Sequence, residues 1–259
     1  MILRKNCWEK TNVMNKNNLL IIGATSGIMI SCLERLLNDG YNIFATYHDK
    51  QNLQNIPDKI KKSKFIKFLK LDLSSDDNSI IKSLKENEVK ADVIINAVGG
   101  SFGVKGYPNE IDLWLKMLKM NILKHILINN FFLEEMKKNK YGRILFFSTS
   151  AVEDKNASIA YSTSKAFLEN YVIKSANIFG KFNILINCLK TSLIAAKNNN
   201  WYKASLEKPE FVDEFSKKYI SLERIGKGED LVDFISLIIS DRNKFMNGSI
   251  VRVDGGLKF

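Results

Sequence analysis

The sequence predicts an α/β fold: one doubly wound parallel sheet with helices on both faces. Two observations predict it. Along 259 residues, short runs that are apolar at nearly every position alternate with longer stretches of helical spacing, and no internal repeat or Pro/Gly/Ser-rich linker divides the series. A strand apolar on both sides must be covered on both sides, and crossover helices over a parallel sheet provide that cover.

Taken in order, strands are expected at 19–22 (Leu-Leu-Ile-Ile), 42–47, 65–71, 93–96 (Val-Ile-Ile-Asn), 144–147 (Ile-Leu-Phe-Phe), 183–188 and 249–253. Helices are expected between most of them, at 28–38, 80–88, 111–136, 160–179 and 229–239, where apolar residues return every three or four positions. Residues 1–18 are polar and basic and read as an N-terminal tail, with Met14 a possible alternative start. Residues 19–259 read as a single domain. The stretch 197–221 mixes charges with Trp201, Tyr202, Phe211, Phe215 and Tyr219, and belongs to a substrate lid expected at about 191–225.

Composition excludes several classes. The chain carries 39 Lys+Arg against 28 Asp+Glu, a formal charge of +11. The lysines are spread along the chain or alternate with apolar residues, a pattern of solvated faces, so no nucleic-acid partner is expected. No apolar run reaches the ~18 residues of a bilayer span, and the N-terminus lacks the apolar stretch of a secretory signal. No membrane partner is expected, and the location is expected to be cytoplasmic. Cys7, Cys32 and Cys188 are an odd number with no CxxC pair, and only His48 and His125 could join them, so reduced thiols and no metal site are expected.

Open parallel sheets bind ligands beyond the carboxyl ends of their strands. After the first strand, Gly23-Ala24-Thr25-Ser26-Gly27-Ile28-Met29 leads into a helix, a turn whose bare backbone N–H groups and helix dipole suit a pyrophosphate. Further on, Tyr161-Ser162-Thr163-Ser164-Lys165 places a phenol and an ammonium four residues apart on one helical face. A neighbouring cation favours the phenolate of a tyrosine, and the hydroxyl-rich strand end Ser148-Thr149-Ser150 lies 13 to 11 residues upstream.

These motifs resemble, in order and over nearly the whole chain, the short-chain dehydrogenase/reductase family with its Rossmann-like fold. Gly23, Gly27 and Ile28 fall on its glycine motif, with Met29 in place of the last glycine. Leu71-Asp72-Leu73 resembles its adenine-contacting segment, and Asn96-Ala97-Val98-Gly99 its Asn-Asn-Ala-Gly motif. The segments 224–230 and 248–256 resemble the segment opening its penultimate helix and its last strand with the closing turn. The resemblance implies an oxidoreductase that passes hydride between a nicotinamide and a carbonyl or alcohol substrate, with Tyr161 as general acid/base. Lys165 would hold the nicotinamide ribose and tune Tyr161, and Asn121 would support a proton relay. The orienting hydroxyl is ambiguous: counting back 13 from Tyr161 selects Ser148, which we take, while counting forward from Gly142-Arg143 selects Thr149, and Ser150 is a third candidate.

Cofactor contacts are implied for Gly23, Thr25, Ser26, Gly27, Ile28, Tyr47, His48, Asp72, Leu73, Asn96, Ala97, Val98 and Gly99, together with Tyr161 and Lys165. Tyr47 stands where NAD-dependent members carry an acid, and His48 and Lys50 suit a 2′-phosphate, so NADP is expected, with NAD possible. Thr191-Ser192 replace the family's Pro-Gly and Ala196 stands near its usual threonine, leaving the backbone of Leu193 and Ile194 to hold the carboxamide. The family resemblance also implies a homotetramer or homodimer. Because the departures surround the cofactor, a non-catalytic binding or regulatory subunit is the alternative reading.

Overall fold

The computed structural model describes residues 17–108, 110–197 and 199–258. Positions 1–16 of the expected tail, with Cys7 and Met14, lie outside these described residues.

The chain runs through β1 (Asn18–Ile22), α1 (Gly27–Asn38), β2 (Asn42–Tyr47), α2 (Asp58–Lys61), β3 (Ile66–Lys70), α3 (Asp77–Glu86), β4 (Val93–Asn96), α4 (Ile111–Leu118), α5 (Lys124–Asn139), β5 (Gly142–Thr149), α6 (Ile159–Phe179), β6 (Ile184–Thr191), β7 (Ile194–Ala195), α7 (Asn200–Glu207), α8 (Pro209–Tyr219), β8 (Gly226–Lys227), α9 (Val232–Ile239) and β9 (Ile250–Val253). Seven strands form one sheet in the order β3-β2-β1-β4-β5-β6-β9, and every pairing in it is parallel. The order reverses between β1 and β4, the crevice where doubly wound sheets bind ligands.

The strand pattern explains the two layers. Alternate residues Leu20, Ile22, Ile94, Ile144 and Phe146 join Leu84 of α3, Ile128 of α5 and Leu168 of α6 in one core. Their neighbours Leu19, Ile21, Val93, Ile95 and Leu145 meet Leu33 and Leu36 of α1 and Ile235 and Ile239 of α9 in the other. Runs apolar at every position are therefore required, because each strand feeds both layers. Local caps set the helix starts. Ser26 accepts the Met29 N–H at 3.4 Å ahead of α1, and Asp76 accepts the Ser79 N–H at 2.9 Å ahead of α3. Met29 is fully buried in the α1 layer, so its side chain turns away from the crevice.

One expectation needs correction. The helix predicted over 111–136 is interrupted by a π-type turn at Lys119–Leu123, in which the Lys124 N–H reaches back to the Lys119 carbonyl. The stretch 197–221 contains two helices, α7 and α8, and its root pairs with a later segment as a small second sheet, β7 with β8. Its aromatics pack on one another: the Trp201 and Phe215 ring centroids lie 5.2 Å apart, and those of Phe215 and Tyr219 4.6 Å. Among the described residues no helix is long and apolar enough to cross a membrane.

Candidate active site

At the carboxyl ends of β1, β4, β5 and β6 lies a cavity of about 310 Å³, lined among others by Gly27, Val98, Thr149, Tyr161, Lys165 and Ser192. Each strand delivers one part of it.

The floor is made from glycine. Gly23 adopts φ +87°, and a Cβ there would come within 2.6 Å of the Val98 side chain. Gly27 is overlain by the backbone of Ala196 and Lys197, so the root of the α7 segment lies directly across the α1 N-terminus. At Gly99 a Cβ would stand 2.8 Å from both the Asn121 Oδ1 and the Lys165 Nζ. Beside that overlying segment the cavity still reaches Ser26, Gly27 and Ile28, and the buried Met29 does not enter it, so the residues present fit a pyrophosphate-bearing dinucleotide.

The catalytic candidates come from three elements. Lys165 is buried, and its Nζ donates to the Phe147 carbonyl at 2.8 Å. Burial lowers its pKa to about 8, against the smaller opposing influence of Cys188 and Glu169. Tyr161 is half-buried one turn earlier. Desolvation raises its pKa, and a hydrogen bond from the Thr149 hydroxyl pulls it back. Thr149 Oγ1 also accepts the Ala151 N–H at 3.2 Å, which leaves its own proton to aim at the phenol. Asn121 is fully buried in the π-type turn. Its Oδ1 accepts the Gly100 N–H at 2.9 Å, and its Nδ2 donates to the carbonyls of Gly100 and Met117, each at 3.0 Å.

Ser148 is placed differently from the expectation. Its Oγ donates to Glu169 Oε1 at 2.5 Å, although Ser148 does reach the cavity lining. Ser150 Oγ bonds Ser192 Oγ at 3.2 Å. Of the three hydroxyls, Thr149 is the one that meets Tyr161.

Among the expected cofactor residues, Ser26, Gly27, Ile28, Ala97, Val98 and Gly99 line the cavity with Tyr161 and Lys165. Gly23 and the buried Thr25 shape the turn behind it, and Asn96 is buried with its Nδ2 donating to the Leu145 carbonyl at 3.3 Å. Tyr47 ends β2, and the exposed His48 imidazole stands 3.5 Å from Asp72 Oδ1. The Ser74 hydroxyl and N–H, with a smaller contribution from His48, hold the Asp72 carboxyl below its ordinary pKa. Leu73 is buried beside a separate groove that also takes in Phe102 and Leu123.

Leu193 and Ile194 stand apart from the catalytic cavity. The Leu193 carbonyl accepts the Gly226 N–H at 2.9 Å, and the Ile194 carbonyl accepts the Asn199 Nδ2 at 2.6 Å. Both side chains line a different pocket, near Arg224 and Phe234. In their place Thr191, Ser192, Ala196, Lys197 and Asn199 line the site. The strand-end rule points to Thr191 and Ser192. Asn199 is legible only as the cap of α7, whose Tyr202 N–H it accepts at 2.8 Å.

Behind the Val98–Gly99 turn sits His125, buried and edge-on to Phe146. Burial lowers its pKa from 6.5 to about 4, so the ring is neutral and its Nε2–H donates to the Val98 carbonyl at 2.9 Å. Its Nδ1 and both amide atoms of Asn129, one turn on, lack protein partners. A depressed folded pKa means the unfolded chain binds the extra proton first. Stability from this group is complete above pH 6.5 and falls by about 3 kcal/mol as pH drops to 4. Thermal melts should therefore lose stability through that window, and His125→Gln, which keeps a donor for Val98 without titrating there, should flatten the loss. An equally steep acid loss in the variant would assign it elsewhere.

A glycine turn over a helix N-terminus, joined to a Tyr–Lys pair and a hydroxyl at the crevice of a doubly wound sheet, defines a dinucleotide-dependent oxidoreductase site. Residues 23–258 match the family model described as enoyl-(acyl carrier protein) reductase. The chain belongs to the short-chain dehydrogenase/reductase family and is an NAD(P)-dependent oxidoreductase. The L-rhamnose 1-dehydrogenase (NADP(+)) of Thermoplasma acidophilum is 27% identical, covering 93% of this chain and 95% of that protein. A 3-oxoacyl-[acyl-carrier-protein] reductase of Buchnera aphidicola is 24% identical over 94% and 98%. The fold matches an NADP-bound 3-oxoacyl (acyl-carrier-protein) reductase from Agrobacterium tumefaciens with a TM-score of 0.83, at 21% identity and 93% coverage of each chain.

Proposed function

We propose that the enzyme interconverts a small-molecule carbonyl and its alcohol with NADP as the preferred cofactor. The observation that carries this reading is the convergence of Thr149, Tyr161 and Lys165 on one cavity, beside a turn braced by Asn121. When bound, the nicotinamide exchanges a hydride with the substrate carbon. In the reducing direction Tyr161 gives its phenolic proton to the carbonyl oxygen, and the Thr149 hydroxyl orients that oxygen and stabilises its growing charge. Lys165 adds positive charge that favours the phenolate left behind, and Asn121 holds the Gly100 backbone that closes the site. Ser148 leaves the catalytic set in this reading, and Leu193 and Ile194 leave the cofactor set. Thr191 and Ser192 take the carboxamide side.

NADP is favoured because no carboxylate ends β2 at Tyr47, while the exposed His48, 3.5 Å from Asp72, can turn to face a 2′-phosphate. The named relatives include an NADP-dependent sugar dehydrogenase and 3-oxoacyl reductases, so L-rhamnose and acetoacetyl-coenzyme A are the first substrates to try. Fluorescence titration should show NADPH bound about tenfold more tightly than NADH, with the gap narrowed in His48→Ala. Equal affinities would remove the NADP preference. Failure of the folded protein to bind either cofactor would remove the whole reading and return the non-catalytic alternative.

We place α7 and α8 as a lid over the substrate. We also place the enzyme in the reducing cytoplasm, consistent with the free, buried Cys32 and Cys188. Leu115 and Leu123 on the α4 side, and Phe167 and Ile178 on α6, are apolar and exposed, which supports a homodimer or homotetramer built on these helices. Sedimentation as a monomer at micromolar concentration would overturn that assembly.

A further inference from the structure

Beneath the catalytic cavity, four polar side chains from four places in the fold meet. Lys190 is buried near the end of β6, its side chain 7% exposed, and its Nζ lies 3.0 Å from Glu169 Oε1. It also pairs with Glu153. Glu169 belongs to α6, two turns beyond Tyr161 and one beyond Lys165, and accepts the Ser148 hydroxyl at 2.5 Å. Glu153 closes the short turn that follows β5, and its N–H donates to the Ser150 carbonyl at 3.0 Å.

Strand pairing sets Ser148 opposite Lys190 and Thr149 opposite Thr191. Beyond the last pair the two strands lose their ladder, and side chains take over the connection. Ser150 reaches Ser192, and Glu153 reaches Lys190. Thr149 is thus flanked on both sides by residues tied to α6 or to the β6 end. Thr191-Ser192 stand where the resemblance places the family's Pro-Gly, so both residues here carry side-chain hydroxyls, and that of Ser192 is the one that Ser150 reaches.

We propose that Lys190, with Glu153, Glu169 and Ser148, laces the ends of β5 and β6 together and so positions Thr149 against Tyr161. None of the four passes a proton to substrate in this proposal; they are positioning residues, and the proposal rests on the roles just given to Thr149 and Tyr161. The arrangement is specific to a buried cation held between two acids. A neutral residue at 190 would leave Glu169 with the Ser148 hydroxyl and only Lys165, one turn away, as counter-charge, and would free Glu153 and its turn.

Two measurements on the full-length protein test it. The variants are Glu153→Ala, half-exposed and therefore tolerant of truncation, Lys190→Met, and Lys190→Arg as the conservative control. With NADP+ and L-rhamnose, or NADPH and acetoacetyl-coenzyme A, whichever pair is turned over better, Glu153→Ala and Lys190→Met should each lower kcat about tenfold, leaving NADPH affinity within about twofold. The double variant should fall no further than the worse single one, and Lys190→Arg should keep most of the rate. Independently of turnover, ultraviolet titration of Tyr161, read as the difference from Tyr161→Phe, should move upward by about half a pH unit in Glu153→Ala, because a loosened Thr149 no longer favours the phenolate. Unchanged kcat and unchanged titration in Glu153→Ala would overturn the lacing, as would a loss confined to cofactor affinity. If the wild type turns over no carbonyl probe, the proposed function fails and the titration alone decides the lacing.

Discussion

Tyr161→Phe is expected to lower kcat about a thousandfold while NADPH binding stays within about twofold, because the phenyl ring keeps the packing and loses only the proton. Thr149→Ala should cost about a hundredfold, since the hydroxyl that meets Tyr161 is also the donor available to the substrate oxygen. Ser148→Ala should cost less than tenfold, because its hydroxyl is turned to Glu169. Single-turnover absorbance changes at the reduced nicotinamide check all three. A larger loss in Ser148→Ala than in Thr149→Ala would return the orienting role to Ser148.

Lys165→Met is the second large effect, and it runs in opposite directions for stability and activity. Lys165 has a folded pKa of about 8 against an ordinary 10.5, so folding disfavours its charge. At pH 7 both folded and unfolded chains carry the proton, and the burial penalty of about 3 kcal/mol is present in full. It fades only as pH rises from 8 to 10.5. Replacing Lys165 with Met removes the penalty but leaves the Phe147 carbonyl without its donor, a loss of about 1 kcal/mol. The cofactor-free variant should be more stable by about 2 kcal/mol, a melting midpoint higher by several degrees, with kcat down at least about a hundredfold. A variant that melts lower than wild type at pH 7 would show that the buried ammonium is held more favourably than its depressed pKa implies. Stability is expected to be lower than it need be at this position because the reaction requires a cation there.

Much of this was legible from the chain. Runs such as Val93–Asn96 and the spacing in 160–179 identify their elements because burial on two faces, or on one helical stripe, leaves few other patterns. The glycine turn and the Tyr161/Lys165 pair are local motifs, and spacing carries them. Other features depend on direction rather than spacing. Whether Ser148 or Thr149 faces Tyr161 is set by the alternation of β5 against α6, and one residue of loop length reverses a count made from either side. The Leu193 carbonyl is taken by Gly226, a partner distant in sequence that no local reading supplies, and the Ile194 carbonyl by Asn199, the cap of α7. Asn199 as a cap and Pro209 in a first helical turn mark the starts of α7 and α8.

The π-type turn at Lys119–Leu123 has an evolutionary and engineering consequence. Met117, Asn121 and His125 follow one another at intervals of four residues, so the buried row of this helix is out of phase with an ordinary α-helix by part of a residue per turn. The turn behaves like a built-in single-residue insertion. Removing its extra residue would restore regular winding and leave the flanking helix in phase, whereas deleting one residue from the regular turns of α4 or α5 would rotate one side by about 100° and carry Asn121 away from Gly100 or His125 away from Val98. A one-residue deletion is therefore open to this helix at the π-type turn and closed to it elsewhere.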